Sequence, residues 1–189
     1  MDLAKMLAKK EMIESLAGSD FTIFTQVRAG LAHFSPDPGN AKGQLAASGT
    51  LSLALKPHIL HVVGFSEGDH AAMPHEIVES CKIITGMLRN SLGDFPDLPI
   101  EKRVQRRKKR LIEEAKVLLD AIGRLDDPDA LCRALERGIL AAPHLKGRYP
   151  GRGEIVTSIR HGACLAINPR TGKETGESKR LERLKCPEV

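Results

Sequence analysis

Two short apolar runs, FTIFTQV at 21–27 and HILHVV at 58–63, constrain the fold of this chain more than any other feature. Both are rich in β-branched or aromatic residues, the first between Gly18 and Gly30 and the second ahead of Gly64, so each reads as a buried strand. The first is followed by a loop over 28–40 in which Pro36, Pro38 and Gly39 stop regular structure. Leu45, Ala46, Gly49, Leu53 and Ala54 then recur on one face of a helix expected over 42–55, where small side chains permit close packing on a sheet. Lys56-Pro57 ends it. After the second run, Pro74 suits a first helical turn and Glu76 the positive end of the helix dipole, and Ile77, Cys81, Ile84 and Leu88 continue as an apolar stripe. Strand, loop and helix repeated in this way predict the α/β class, with parallel strands covered by helices.

Parallel β/α folds gather their binding groups beyond the C-terminal ends of the strands. That rule singles out the loops 26–33, which opens with Gln26, and 64–75, which carries Glu67, Asp69, His70 and His75. Three readings stay open for Asp69 and His70. They suit a metal ion by type, although their spacing matches no pattern such as H-E-x-x-H. They also suit an organic cofactor or substrate, or they cap the Pro74 helix and hydrogen-bond the loop. His58 and His61 alternate with Ile59, Leu60 and Val62 and are expected to be structural. Ser66 has no recognisable base and orienting partner, and neither phosphate-cradling glycine motif occurs, which argues against a hydrolase triad and standard nucleotide binding.

Farther along, Val104, Leu111, Ala115, Leu118, Leu119 and Ile122 predict a long helix, and seven of the nine residues at 102–110 are Lys or Arg. Asp126-Asp127-Pro128-Asp129 restarts a helix with Leu131, Ala134 and Leu135 turned inward, 155–159 reads as a short strand, and 171–189 as a loose polar tail. Residues 1–93, 94–170 and 171–189 are the three expected divisions: β/α units, a helical extension with a short strand, and the tail. The opening 17 residues form either a packed helix or a frayed leader.

The net charge of +5 comes largely from 102–110, and aromatics are only 3% of the chain, with no Trp. A stacking platform for bases is therefore missing, and nucleic acid is a secondary expectation. The basic helix is expected to be solvated or to dock an acidic partner. Cys81, Cys132, Cys164 and Cys186 form no C-x-x-C pair and are expected as free thiols. No apolar run approaches the roughly 20 residues of a membrane span and the start is not a signal peptide, so a cytoplasmic location is expected.

Taken in order, FTQ at 24–26, Gly30, the Ala41-Lys42 helix start, the small-residue helix, the strand ending at Val63 and the Met73-Pro74 helix start resemble the last barrel units of one family. That family is the large catalytic (epsilon) subunit of methylaspartate mutase, also called glutamate mutase. The resemblance continues through ALERGIL at 134–140, Pro143, Arg148-Tyr149 and Gly162-Ala163, covering about 21–169. It implies a TIM-type β/α barrel, of which this chain supplies a part: the last strand–helix units plus a C-terminal helical extension. It implies adenosylcobalamin as cofactor, shared with a partner, and radical interconversion of glutamate and 3-methylaspartate.

On this resemblance Asp69 falls at the family's acid beside the adenosyl group, and Phe65 or its neighbour Gly64 falls where the family has a lysine. Asp69, His70 and Gln26 are accordingly expected to bind the cofactor, and this chain itself is expected to hold no metal. The cobalt-ligating D-x-H-x-x-G motif is absent, as implied for a chain whose small partner subunit carries it. The substrate-gripping arginines and the catalytic glutamate belong to earlier strands, and the family's acidic helix is replaced by 102–110. Since a full barrel takes roughly 250 residues, the chain is expected to be inactive alone. It would then need the small cobalamin-binding subunit and an N-terminal barrel portion, and form oligomers. The alternative is a non-catalytic interaction module whose basic helix 102–110 binds an acidic protein or nucleic acid.

Overall fold

The computed structural model describes residues 2–30, 34–93, 96–124, 126–140, 156–161, 163–168 and 171–185. Pro143, Arg148-Tyr149, Gly162 and Cys186, and 31–33 of the first candidate loop, lie outside them. The chain divides into two compact units, Met1–Lys108 and Lys109–Val189.

The first unit runs α1 (Leu3–Glu14), β1 (Gln26–Arg28), α2 (Pro38–Leu53), β2 (Ile59–His61), α3 (Pro74–Ser91), a 3₁₀ turn (Leu98–Ile100) and the start of α4 (Lys102–Ile122). β1 and β2 pair in parallel, with Gln26 opposite Ile59, Val27 opposite Leu60 and Arg28 opposite His61. α2 is the crossover between them, so the expected strand–helix–strand unit is present. The strands are shorter than the apolar runs that announced them. Among the described residues each has a single ladder neighbour, and most of 21–25 lies outside the ladder.

α2 begins at Pro38, four residues before the expected start. Asp37 is its N-cap, accepting the Asn40 N–H at 2.7 Å, and Pro38 fills a first-turn position where a missing N–H costs nothing. What reads as loop punctuation is a helix start. Ala41, Leu45, Gly49 and Ser52 form its buried face. A Cβ on Gly49 would lie 2.6 Å from Met87 Cε and 2.8 Å from Ile84 Cδ1, so the glycine admits α3 at close range. The buried face of α3 is Ser80 and Ile84, flanked by Ile83, Met87 and Leu88, while Ile77 and Cys81 are exposed. The expected stripe is thus rotated, because Ser80 is drawn inward by a hydrogen bond described below.

Two apolar clusters lie against one side of the sheet. Ala29, Ala41, Leu45, Val63, Phe65 and Ile84 make the first. Leu3, Val27, Ala54 and Leu55 make the second, with Met6, Leu7, Leu98 and Val104 packed on it, so α1 is a packed helix and α4 begins within this unit. Leu60 touches both.

The second unit holds the rest of α4, then α5 (Pro128–Glu136), β3 (Val156–Arg160), β4 (Ala163–Ile167) and α6 (Glu177–Lys185). β3 and β4 pair in antiparallel fashion. Ala134, Ile139 and Leu181 are buried together under Val117, Leu118, Ala121 and Ile122 of α4. The polar segment from 171 is therefore not simply a tail. Leu181 is in the core, and the Arg180 guanidinium donates to the carbonyls of Gly138 and Ile139 at the end of α5, where a helix leaves acceptors unpaired. Among the described residues the protein is a mixed helix and strand structure with two two-stranded sheets. No described helix is long and apolar enough to cross a membrane.

Candidate functional site

The loop that leaves β2 is held by side chains reaching back from α3. The Ser80 hydroxyl, fully buried, accepts the Phe65 N–H at 3.0 Å and donates to the Glu76 carbonyl at 2.8 Å. The Gly64 N–H donates to Glu67 Oε1 at 2.6 Å, and a Cβ on Gly64 would come within 2.7 Å of the Ala72 Cβ. The loop thus closes on itself at a residue without a side chain.

Glu76 is the centre of this arrangement. Its Oε2 accepts the Met73 N–H and the Ser66 hydroxyl, each at 2.8 Å, and its Oε1 lies 3.3 Å from His70 Nε2. Those donors hold the carboxyl below its ordinary value of 4.5, the Met73 N–H first and the Ser66 hydroxyl next. The other nitrogen of His70, Nδ1, lies 3.0 Å from Asp69 Oδ2. An imidazole between two carboxylates can donate to both only when protonated. The hydrogen bond with Asp69, reinforced by Glu76, accordingly raises its pKa above the ordinary 6.5. The helix is capped by Glu76, not by Asp69. Asp69 instead orients His70, and both side chains remain about half exposed.

Gln26 sits elsewhere. It opens β1 on the face of the sheet opposite the apolar clusters, with its Nε2 3.4 Å from His61 Nδ1. No hydrogen bond among the described residues joins it to Asp69 or His70. Gln26, Arg28, Ile59 and His61 all occupy this second face, and all four are exposed. His58 is structural as expected: its Nδ1 accepts the Thr25 N–H at 3.1 Å and its ring meets Phe24 edge-on at 5.3 Å. His61 is not buried. It faces outward beside Arg28, which sequence reasoning passed over because a lone arginine carries no motif. Glu76 had a detectable signal, since a Glu two residues after a first-turn Pro is placed to cap the helix start.

The basic run on α4 is partly neutralised from within. Arg107 grips Asp2 at 2.6 Å, Lys108 pairs with Glu11 at 2.6 Å, and Arg110 pairs with Glu174 at 2.7 Å. Lys102, Arg103, Arg106 and Lys109 are exposed and make no ion pair among the described residues. Three of the four cysteines, Cys81, Cys132 and Cys164, are described, and none of the three is in a disulfide. Among the described residues no group of three His, Cys, Asp or Glu is placed to hold a metal ion.

No protein-family model matches the chain, and no curated protein matches it.

Proposed function

We propose that this chain is part of an adenosylcobalamin-dependent carbon-skeleton mutase of the glutamate-to-methylaspartate type, contributing terminal β/α units to a barrel completed by other chains. One observation carries the reading: among the described residues, the parallel strand–helix–strand unit is covered on one face only. Parallel sheets are ordinarily covered on both faces. In a β/α barrel the helices cover the outside, and the second face meets the other strands across the interior. The open face changes character along the strands, from Ile59, 50% exposed, to Arg28 and His61 at the C-terminal ends. Sites in barrels lie at those ends.

The side chains that fit the cofactor are those of the loop after β2. Asp69 offers an exposed acceptor suited to the hydroxyls of an adenosyl ribose, held in place by His70, whose two ring nitrogens face Asp69 and Glu76. The cofactor supplies, when bound, a carbon radical from its cobalt–carbon bond, and the cobalt ligand falls to the small partner subunit. This chain's part is to position and to exclude water. The reading carries with it a cytoplasmic location, and the edges of β1 and β2 that have no ladder neighbour among the described residues favour association with other chains.

Reconstitution tests it. The full chain is combined with an N-terminal barrel portion and a small cobalamin-binding subunit of the methylaspartate mutase type. Cobalamin absorbance and formation of 3-methylaspartate from glutamate are then followed. The complete mixture should turn over and the chain alone should not. Absence of both association and a cobalamin spectral change would sink the reading.

A second reading rests on Lys102, Arg103, Arg106 and Lys109, spaced along α4 without ionic partners among the described residues: a docking face for an acidic protein. Its mark would be partner binding that weakens steeply between 50 and 200 mM salt, as screening requires.

A further inference from the structure

We propose that the open face of the β1–β2 sheet carries an oxyanion-binding site formed by Arg28 and His61, with Gln26 as a positioning residue. Parallel register sets Arg28 directly opposite His61 at the C-terminal ends of the two strands, on the same face as Gln26. The Gln26 amide nitrogen lies 3.4 Å from His61 Nδ1. With Nδ1 accepting from that amide, the neutral ring carries its proton on Nε2, and a donor is turned away from Gln26. The Arg28 guanidinium adds a planar fork of donors, and it makes no ion pair among the described residues.

The site is therefore a set of donors with no acceptor to satisfy them among the described residues. Arg107, Lys108, Lys42 and His70 of the same unit each face a carboxylate of the chain. Unlike the cations along α4 that are unpaired among the described residues, Arg28 shares its face with a second donor set opposite it in register. A bidentate hydrogen bond from Arg28 to a carboxylate or phosphate group, with His61 donating a third, supplies the missing acceptor. Ile59, half exposed on the same face, lies toward the N-terminal end, where a short hydrocarbon can rest. The ligand class that fits is a small molecule bearing a carboxylate or phosphate on a short apolar stem.

The inference rests on the reading of this face as a barrel lining, but its test does not involve cobalamin or a partner. The full chain, labelled with ¹⁵N, is titrated at fixed ionic strength with succinate in one series and inorganic phosphate in another. Saturable amide shifts centred on residues 26–28 and 59–61 are expected, with Arg28→Gln weakening the affinity at least tenfold and Arg89→Gln, at an exposed position on α3, leaving it unchanged. Tighter binding of succinate would identify a carboxylate ligand, and tighter binding of phosphate a phosphate ester. Should Arg28→Gln lose its dispersed spectrum, Arg28→Lys replaces it: the charge is kept, the fork is lost, and several-fold weaker binding is expected. Linear, unsaturating shifts, or an affinity equal to that of the wild type in the folded variant, would overturn the site and leave the reconstitution result untouched.

Discussion

The two faces of the β1–β2 sheet are built from alternate residues of the same six positions, and they have been put to opposite uses. Val27 and Leu60 lie under α1, α2 and α3, in contact with clusters that include Leu45 and Phe65. Gln26, Arg28, Ile59 and His61 meet no such cover among the described residues. A strand of period two separates the faces completely, so a substitution on one should leave the other intact. Burial is concentrated on the covered face and exposed polar groups on the open one, and the difference can be pressed from both sides.

The largest effect belongs to the covered face. Leu45 is 2% exposed at the centre of the first cluster, and Leu45→Ala should cost about 2–5 kcal/mol by leaving a cavity. Denaturant unfolding measures this, and a loss below about 1 kcal/mol would mean that the cluster is not the core of the unit.

Next in size is the join between the covered face and the loop. Ser80→Ala removes the acceptor of the buried Phe65 N–H and should destabilise by about 1–3 kcal/mol, the cost of an unsatisfied buried donor. Gly49→Ala on α2 offers a comparison. It retains every side-chain hydrogen bond and tests only whether the flexible ends of Met87 and Ile84 can give way.

A third prediction uses pH. Because the folded-state pKa of His70 is raised, its contribution to stability is complete below its ordinary value near 6.5 and is lost as pH rises through the raised value. Glu76 is depressed, so its contribution is present above its ordinary value near 4.5 and is lost as pH falls through the lowered one. Both operate together between about pH 4.5 and 6.5. His70→Gln should therefore abolish the decline on the alkaline side and preserve the acid limb. Melting temperatures recorded across pH 4–8 check this, and an unchanged alkaline limb would show that another group is responsible.

The smallest effect is expected on the open face. Ile59→Thr should change stability by no more than about 0.5 kcal/mol, because a half-exposed β-branched residue is replaced by another. The same substitution should lower light-scattering mass if this face associates with other chains. A large loss of monomer stability would erase the contrast between the faces.

Much of this organisation is legible in the sequence, for local reasons. Two β-branched runs separated by a small-residue helix announce a parallel crossover, since antiparallel neighbours need no such connection. Pro74 announces the start of α3. The start of α2 was legible too, as Asp37 and Pro38, but the same residues also signal a loop, and only the backbone path chooses between an N-cap and a turn. The face of α3 was misjudged because Ser80 has no apolar signature. It is buried by what it bonds.

Tertiary structure alone decided the site geometry. The sequence places Asp69 and His70 on a loop after a strand, but says nothing of Glu76 folding back to hold Ser66 and Met73 while receiving His70. It places Gln26 at a strand end, but not beside His61, which lies 35 residues away. Periodicity is a property of consecutive residues and survives translation from sequence to element. Register is a property of pairs brought together by burial, and the alternation that turns Arg28 and His61 to one side takes its meaning only when Val27 is buried and Leu60 half-buried on the other.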